Sequence, residues 1–376
     1  MAKRIVLAVA GAGKTFNICQ CINREKKNLI LAYTNENTHN INHELVSNFG
    51  TVPELTNVMT FDSFIYRYVL CPYEPTILQA FGKEEFNRKG ITTRKPPQAN
   101  FLKNGRRIPN KKYQNKDKHG HYEFEGFYYC ENIAELIMTV KTGKEKLINK
   151  VAETINTFYD QVCIDEFQDF REYDYDVIVA LAKKINNITL VGDYYQHSVS
   201  GQNNSGKPFK KGKNEVSYDD FLESLKKEKF DVDHTSFGSS RRCPEAVCNF
   251  VNEKLKIKII ADNTHQGDVH WVEAEEVETI LDDNKIMKLV WMEANKYSFS
   301  ALNWSYSKGD TFENVCVVLT DTFVELDTDT FDISIISQIT RNKLYVALTR
   351  TKGNLYLVKK NVFDRVKEKY KLGIGK

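Results

Sequence analysis

The chain has 376 residues, 41% hydrophobic and 27% charged, with 53 Lys/Arg against 50 Asp/Glu. That length makes two or three domains at roughly 100–200 residues each, and the composition excludes wholesale disorder. No stretch nears the roughly 18 consecutive apolar residues of a membrane span, and the opening MAKRIVLAVAGAGKT lacks the cleavage site of a signal peptide. The eight cysteines are scattered with no CxxC pair. They read as reduced thiols of a cytoplasmic protein, not as a zinc site or a disulfide frame. The net charge of +3 is unevenly spread. Lys83–Lys118 carries 12 Lys/Arg and three acids, a net +9, which leaves −6 for the remainder. One strongly basic segment in a near-neutral chain points to a local polyanion contact, against the plainer reading of a solvated loop.

In chain order, RIVLAVA reads as a strand, GAGKT as a glycine loop and FNICQCINREKK as a helix. NLILAYT is a second strand, followed by a polar helix around residues 35–47. NVMT is a third, leading into the helix FDSFIYRYVL. Strand–helix alternation of this kind implies a parallel sheet covered by helices. From about residue 71 to 120 the pattern breaks down, and five of the eight prolines fall there. This stretch reads as an insertion with little regular structure of its own. His119 and His121 within it read as surface residues. Helices resume over ENIAELIMTV and residues 145–157. Two buried strands follow, QVCIDEF and NITLVGD, separated by a helix over 173–184. Residues 200–214 read as an exposed loop. Beyond lie a helix after Pro244, strands in DVHWVEA, KIMKLVWM and NVCVVL, a helix in NKLYVALTR and a strand in NLYLV. The simplest organisation is two sheets of similar character: residues 1–235 with an insertion at about 71–140, then residues 236–376.

Ala8–Thr15, AVAGAGKT, has P-loop spacing with alanine in place of the first glycine. Glycines allow successive backbone N–H groups to turn toward phosphate oxygens, and the helix behind adds its dipole. Ala10, Gly11, Ala12, Gly13, Lys14, Thr15 and Phe16 are the expected nucleotide-binding residues. Lys14 would reach the β- and γ-phosphates and Thr15 would offer a hydroxyl to Mg²⁺. The partner acid of a P-loop belongs at the end of another buried strand, where VCIDE supplies Asp165 for the metal and Glu166 to deprotonate an attacking water. These elements define a nucleoside triphosphatase site with Mg²⁺ but are shared by kinases, GTPases, transporters and helicases.

Seven stretches, in order, resemble the signature motifs of UvrD/Rep-like superfamily 1 helicases: AVAGAGKT, LILAYTNENTHNINHEL with MTFDSF, IDEFQDF, LVGDYYQHS, SSRRCPEAVCNFVN, NWSYSKGDTFENVCVVL and RNKLYVALTRTKGNLYLV. They run from Ala8 to Val358. The resemblance implies two RecA-like parallel-sheet lobes, ATP hydrolysis and movement on single-stranded DNA or at a single-strand/duplex junction, in the 3′-to-5′ direction, with RNA left open. Gln196 matches the glutamine that senses the γ-phosphate, and Arg242 and Arg350 match two arginines that reach it from the second lobe. Arg241 and Gly309 are added to the nucleotide site. Tyr33, Thr34, Asn35, Thr60, Phe61 and Phe64 match positions that stack on bases or hold phosphates. Arg106, Arg107, Lys111 and Lys112 lie where the family places its first insertion, beside the DNA path. The variants SKGDTF and ITRNKLYVALTR are most similar to a compact bacterial and phage subgroup, some of it linked to anti-phage defence, which keeps a nuclease or other protein partner in view.

Departures from the family pattern also matter. Only seven residues precede Ala8, too few for the glutamine-bearing segment that reads adenine. Arg241 replaces a base-stacking tyrosine, Thr311 a glutamate and Ser305 a histidine. The continuation HSVSGQNN lacks an expected DNA-stacking aromatic. Residues 249–302 leave no room for a large second insertion domain. The alternative reading is therefore a nucleic-acid-sensing regulatory ATPase that does not unwind processively.

Overall fold

The computed structural model describes residues 2–197 and 206–372. Six parallel strands form the first sheet: β1 (Ala2–Leu7), β2 (Asn28–Ala32), β3 (Thr56–Thr60), β4 (Gln161–Ile164), β5 (Asn187–Gly192) and β6 (Asp231–Asp233). Their order across the sheet is β6-β1-β5-β4-β2-β3. Helices α1 (Lys14–Gln20) and α2 (Asn35–Phe49) return the chain over one face, where Ile18, Cys19, Ile41 and Leu45 pack on Val6, Ile30 and Cys163. The other face is covered by α3 (Cys130–Thr139), α4 (Leu147–Phe158), α5 (Glu172–Lys184) and α6 (Tyr218–Lys227). Because both faces are covered, β2 is buried at every residue, the pattern of a central parallel strand. α2 begins where Thr34 and Asn37 close a reciprocal capping box, and it stops at Gly50 with φ of 80°.

The second sheet has five parallel strands: β7 (Val269–Trp271), β8 (Ile286–Val290), β9 (Ala301–Asn303), β10 (Asn314–Val318) and β11 (Leu355–Val358). Their order is β7-β11-β10-β8-β9. α7 (Glu245–Leu255) and α9 (Gln338–Leu348) fill one face around the fully buried Trp304 and Tyr345. α8 (Val277–Asp282) and α10 (Lys360–Tyr370) fill the other. The fold is thus two RecA-like α/β lobes, as the motifs implied. The first sheet ends with Asp233 and the second begins at Val269. Ala10 of the P-loop packs in the second lobe's core, so the two lobes meet at the phosphate loop itself.

Several expectations need correction. The stretch after Cys71 is structured: the helix from Phe61 continues through a π-helical turn (Ile65–Leu70) into a helical segment, Cys71–Ala80. Pro72 and Pro75 disturb its register without ending it. Beyond it lie a hairpin, Asn100–Lys103 with Arg106–Pro109, and a three-stranded sheet. His119 is buried at 3% exposure, not on the surface. It lies edge-on to Phe86 and Tyr128, and burial lowers its pKa to about 4. Those aromatic residues, too irregularly spaced to read as a strand or helix, join the insertion to the first lobe's core. His121 is half-buried and pairs with Glu135. Strands β6 and β9 and helices α6, α8 and α10 escaped the sequence reading. Of the expected loop at 200–214, residues 210–211 pair with 214–215 as a short hairpin. The segment Ser198–Asn204, where the family's aromatic was sought, lies outside the described residues.

Candidate active site

The glycine loop leaves β1 at Leu7 and enters α1 at Lys14. Gly11 and Gly13 hold φ of 74° and 78°, a backbone region that favours glycine. Gly11 has a second reason to lack a side chain. A Cβ there would fall 2.5 Å from Ser240 Oγ and 2.7 Å from Arg242 Cβ of the second lobe. Its carbonyl oxygen accepts a hydrogen bond from the Arg241 N–H at 2.9 Å. The phosphate loop and the first arginine pair are therefore locked together through backbone.

A cavity of about 350 Å³ opens at this junction. From the first lobe it is lined by Gly11, Gly13, Lys14, Thr15, Phe16, Asp165, Glu166 and Gln196. From the second it is lined by Arg241, Arg242, Gly309, Thr311, Arg350 and Lys352. The expected site residues thus converge from six separate segments. Ala10 and Ala12 do not line it. Both are buried, and the Ala10 N–H is already spent on the Tyr345 hydroxyl, 2.8 Å away. Ala10 is an anchor of the loop and not one of its phosphate donors.

Thr15 Oγ1 donates to Asp165 Oδ2 at 3.0 Å, which places a hydroxyl and a carboxylate at one point beneath the loop. Burial pushes the Asp165 carboxyl up, and the neighbouring Glu166 adds to this against the pull of Lys14. Glu166 follows in a left-handed conformation, φ 52°, which turns its side chain back toward the cavity. Burial would raise Glu166, but Lys308 and Lys14 outweigh it and hold the carboxyl below its usual range. Gln168 also donates to Glu166. Lys308, from the segment after β9, lies 2.6 Å from Asp169 and 3.5 Å from Glu166, so it ties the second lobe to the acidic turn of the first.

Gln196 Nε2 donates to Asp193 Oδ2 at 2.8 Å, and the Tyr345 hydroxyl approaches the same oxygen at 3.4 Å. Arg242 donates to the Thr349 carbonyl at 3.1 Å. Arg350 is 1% exposed, and its Nε donates to the Val346 carbonyl at 2.8 Å. Burial and the adjacent Arg242 lower the Arg350 guanidinium to about 9. Two guanidinium groups forced together in a buried site gain strongly from an anion between them. Arg241 is exposed, with its guanidinium 5.4 Å from the centre of the half-exposed Phe16 ring. Cation and ring together form a flat surface at the mouth of the cavity.

The residues fit a nucleoside triphosphate with a small hard cation. The loop provides N–H donors, and the cations Lys14, Arg242, Arg350 and Lys352 face the cavity. No group of three or more His, Cys, Asp or Glu able to hold a metal occurs among the described residues. Magnesium is commonly held by one or two protein oxygens plus phosphate oxygens, and Thr15 with Asp165 offers that arrangement.

Sequence reasoning missed Lys308 and Tyr345, although both stand inside motif-like stretches. It also missed Asn37, Asn40 and Glu44, which line the cavity from one face of α2. Their i, i+3, i+7 spacing was the available signal.

The nucleic-acid positions are less uniform. Phe61 and Phe64 are 4% and 1% exposed, and Phe61 packs edge-on against Phe170 at 5.0 Å. Both are core rings, so their expected exposure for base stacking is corrected. The alternation of apolar residues in FDSFIYRYVL favours this inward face. Thr34 and Thr60 cap the helices that follow them. Asn35 is exposed, and Tyr33 is half-buried, 5.3 Å from Phe170. Arg106, Arg107, Lys111 and Lys112 are all exposed on or just after the hairpin of the insertion.

Residues 2–202 match the AAA domain family AAA_19. The chain belongs to that family. The AAA domain spans the first sheet from β1 through β5, with the glycine loop and the Asp165–Glu166 turn, and marks the chain as a P-loop, NTP-hydrolysing enzyme. No curated protein matches the chain. Among solved structures, the helicase of PRRSV is 13% identical, aligned over 95% of this chain and 52% of its own, with a TM-score of 0.44. Arterivirus nonstructural protein 10, a helicase, is 14% identical over 98% and 62%, with a TM-score of 0.45. A complex of that helicase with DNA is 14% identical over 94% and 60%, with a TM-score of 0.44. The chain spans about half to three fifths of the length of these proteins. No helix among the described residues is long and apolar enough to cross a membrane.

Proposed function

We propose that this AAA domain protein is a UvrD-type motor that hydrolyses ATP and moves on single-stranded DNA in the 3′-to-5′ direction. The supporting observation is the cavity where Lys14, Thr15, Asp165, Glu166 and Gln196 of one lobe face Arg242 and Arg350 of the other. A motor needs the triphosphate to be the glue between its lobes, and this site is complete only when they are together.

In the proposed reaction the N–H groups of Gly11 and Gly13 and the Lys14 ammonium hold the β- and γ-phosphates. Thr15 and Asp165 would hold Mg²⁺, which neutralises charge on the phosphates when bound. Glu166 orients a water against the γ-phosphorus and takes its proton as the new P–O bond forms and the bond to the β-bridging oxygen breaks. Arg242 and Arg350 stabilise charge on the oxygens of the transferring group, a contribution of roughly 10³–10⁵ in rate for such arginines. Once phosphate leaves, the guanidinium pair loses its anion and the lobes lose their strongest reason to stay closed.

A regulatory ATPase that senses nucleic acid and signals to a partner is the second reading. It is favoured by the short connection between α7 and β9, which holds β7, α8 and β8 with a two-residue strand at Ile260–Ala261 and a single turn at Ala294–Lys296. Hydrolysis rates with single-stranded DNA, duplex DNA and RNA, alongside a strand-displacement assay, test the proposal. Stimulation by single strands with displacement from a 3′ overhang is expected. Stimulation without displacement moves the chain to the second reading, and turnover that ignores every nucleic acid refutes both.

A further inference from the structure

The phosphate chemistry uses the glycine loop, the acidic turn and the arginines, and leaves one wall of the cavity idle. That wall is a face of α2, which presents Asn37, Asn40 and Glu44. Asp165 and Glu166, the other carboxylates of the cavity, are engaged with Thr15 and Lys308. Glu44 is half-buried and has no such partner. Among the described residues no Lys, Arg or His stands within ion-pair distance of it, and its hydrogen bond comes from the Asn48 amide at 3.4 Å.

That carboxylate is held in place along the seam of two helices. Gln20, at the end of α1, donates to Asn48 Oδ1 at 3.0 Å, and Asn48 in turn donates to Glu44 Oε1. Oε1 is therefore fixed and Oε2 remains for a ligand. The Cys19 thiol donates to the Ile41 carbonyl at 3.8 Å, so α1 and α2 lie side by side here. Cys19 follows Thr15 by one helical turn, and Glu44 is the nearest charge to act on the Cys19 thiol after burial. Glu44 thus stands beyond the phosphate end of α1, farther along the helix than Thr15. From the second lobe, Gly309 and Thr311 line the same cavity, and Asp310 between them is close enough to Glu36 of α2 to be repelled by it.

The chemistry of a nucleoside triphosphate leaves one partner for this carboxylate. Phosphate oxygens repel it. Among the described residues Glu44 forms no metal-holding group with other acids, His or Cys, so it does not extend the Thr15–Asp165 cation site. The flat base has its own surface in Phe16 and Arg241, 5.4 Å apart. The part between phosphates and base is the sugar, whose donors are neighbouring hydroxyls. A carboxylate accepts strongly from a hydroxyl. Asn40, four residues before Glu44 on the same helix face, offers an amide to the adjacent one.

We infer that Glu44 and Asn40 hold the nucleotide sugar by its 2′- and 3′-hydroxyls, so that the site selects ribonucleoside over deoxyribonucleoside triphosphates. This rests on the nucleotide-hydrolysing reading of the cavity and names its substrate class.

The test is steady-state hydrolysis of ATP, 2′-deoxyATP, 3′-deoxyATP and GTP by wild type, Glu44→Ala and Glu44→Gln. In wild type, KM for at least one deoxynucleotide should exceed that for ATP by about tenfold or more, the loss of a hydrogen bond to a charged group. Glu44→Ala should bring ATP and that deoxynucleotide level. Glu44→Gln still offers an oxygen acceptor and should keep part of the preference. A wild type that treats the sugars alike overturns the inference and leaves the hydrolytic reading intact. So does a Glu44→Ala protein that keeps the full sugar preference, that weakens all four nucleotides equally, or that changes the ratio of GTP to ATP instead. A wild type that hydrolyses none of the four refutes the reading on which the inference depends.

Discussion

Replacing Lys308 with methionine keeps most of the length of the side chain and removes its charge and its hydrogen bonds to Asp169. The side chain is 14% exposed, and its ammonium lies 2.6 Å from Asp169 and 3.5 Å from Glu166. At an effective dielectric of about 20, those separations correspond to gross attractions of roughly 6 and 5 kcal/mol. Desolvation of three buried charges offsets most of that sum. Removing one partner still strands the other two, at a cost of about 3–5 kcal/mol. For a chain of this size unfolding cooperatively, such a loss lowers Tm by about 4–6 °C. Thermal melts of wild type and Lys308→Met, with Lys227→Ala as an exposed-lysine control, measure it; Lys227 pairs at 3.8 Å with 79% side-chain exposure and should shift little. Adding Asp169→Asn to Lys308→Met should recover part of the loss, because one stranded carboxylate is gone. A Lys308→Met protein that melts within a degree of wild type, with no coupling to Asp169, would show that the interlobe bridge carries no stability.

The remaining predictions concern the reaction, the basic hairpin and the sheet edge. Arg350→Ala should lower kcat by about 10³-fold or more with a smaller change in nucleotide affinity, measured by steady-state turnover and nucleotide titration. Equal loss in kcat and in nucleotide binding would place Arg350 in ground-state binding instead. Neutralising Arg106, Arg107, Lys111 and Lys112 should flatten the salt dependence of single-strand binding, by roughly 0.7 in slope for each phosphate that is no longer neutralised; an unchanged slope removes the hairpin from the nucleic-acid path. Asp233 accepts from the Ser236 N–H and from Arg4, and these hydrogen bonds outweigh burial and lower its pKa to about 2. Its carboxylate therefore stabilises the fold above the unfolded pKa near 4, and that stability is lost as pH falls toward 2. Asp233→Asn should be less stable than wild type at pH 7, and the gap should close on acidification. A gap that persists at pH 2 would contradict the charge-based cause.

Most of the strands and most residues lining the cavity were readable from sequence because each leaves a local trace. Four- to six-residue apolar runs ended in a glycine loop, in Asp165–Glu166 or in Gly192–Asp193, so strand ends and chemistry were encoded together, whereas the order of the strands across the sheet left no local trace. Helices α6 and α10 carry their apolar residues on one narrow stripe amid charge, which hides them in a window average. The insertion was misread for a different reason. Its order comes from Phe81, Phe86 and Tyr128 gathering at His119, the first two from well upstream in the chain, with no period to detect. Phe61 and Phe64 show the limit of motif transfer, since a position can match while its side chain faces the core. Lys308 and Tyr345 were hidden because their partners, Asp169 and Ala10, are 139 and 335 residues away in the chain.

Glu166→Gln is the most direct measurement, because it removes the proposed base and changes little else in size or hydrogen-bonding reach. Turnover of ATP by wild type and variant, each with and without single-stranded DNA, gives the answer. Wild type should hydrolyse ATP faster when DNA is present, and the variant should lose roughly 10²–10⁴-fold in kcat under both conditions while still binding nucleotide. Equal turnover in the two proteins would contradict the assignment of Glu166, and with it the proposed chemistry of the cleft.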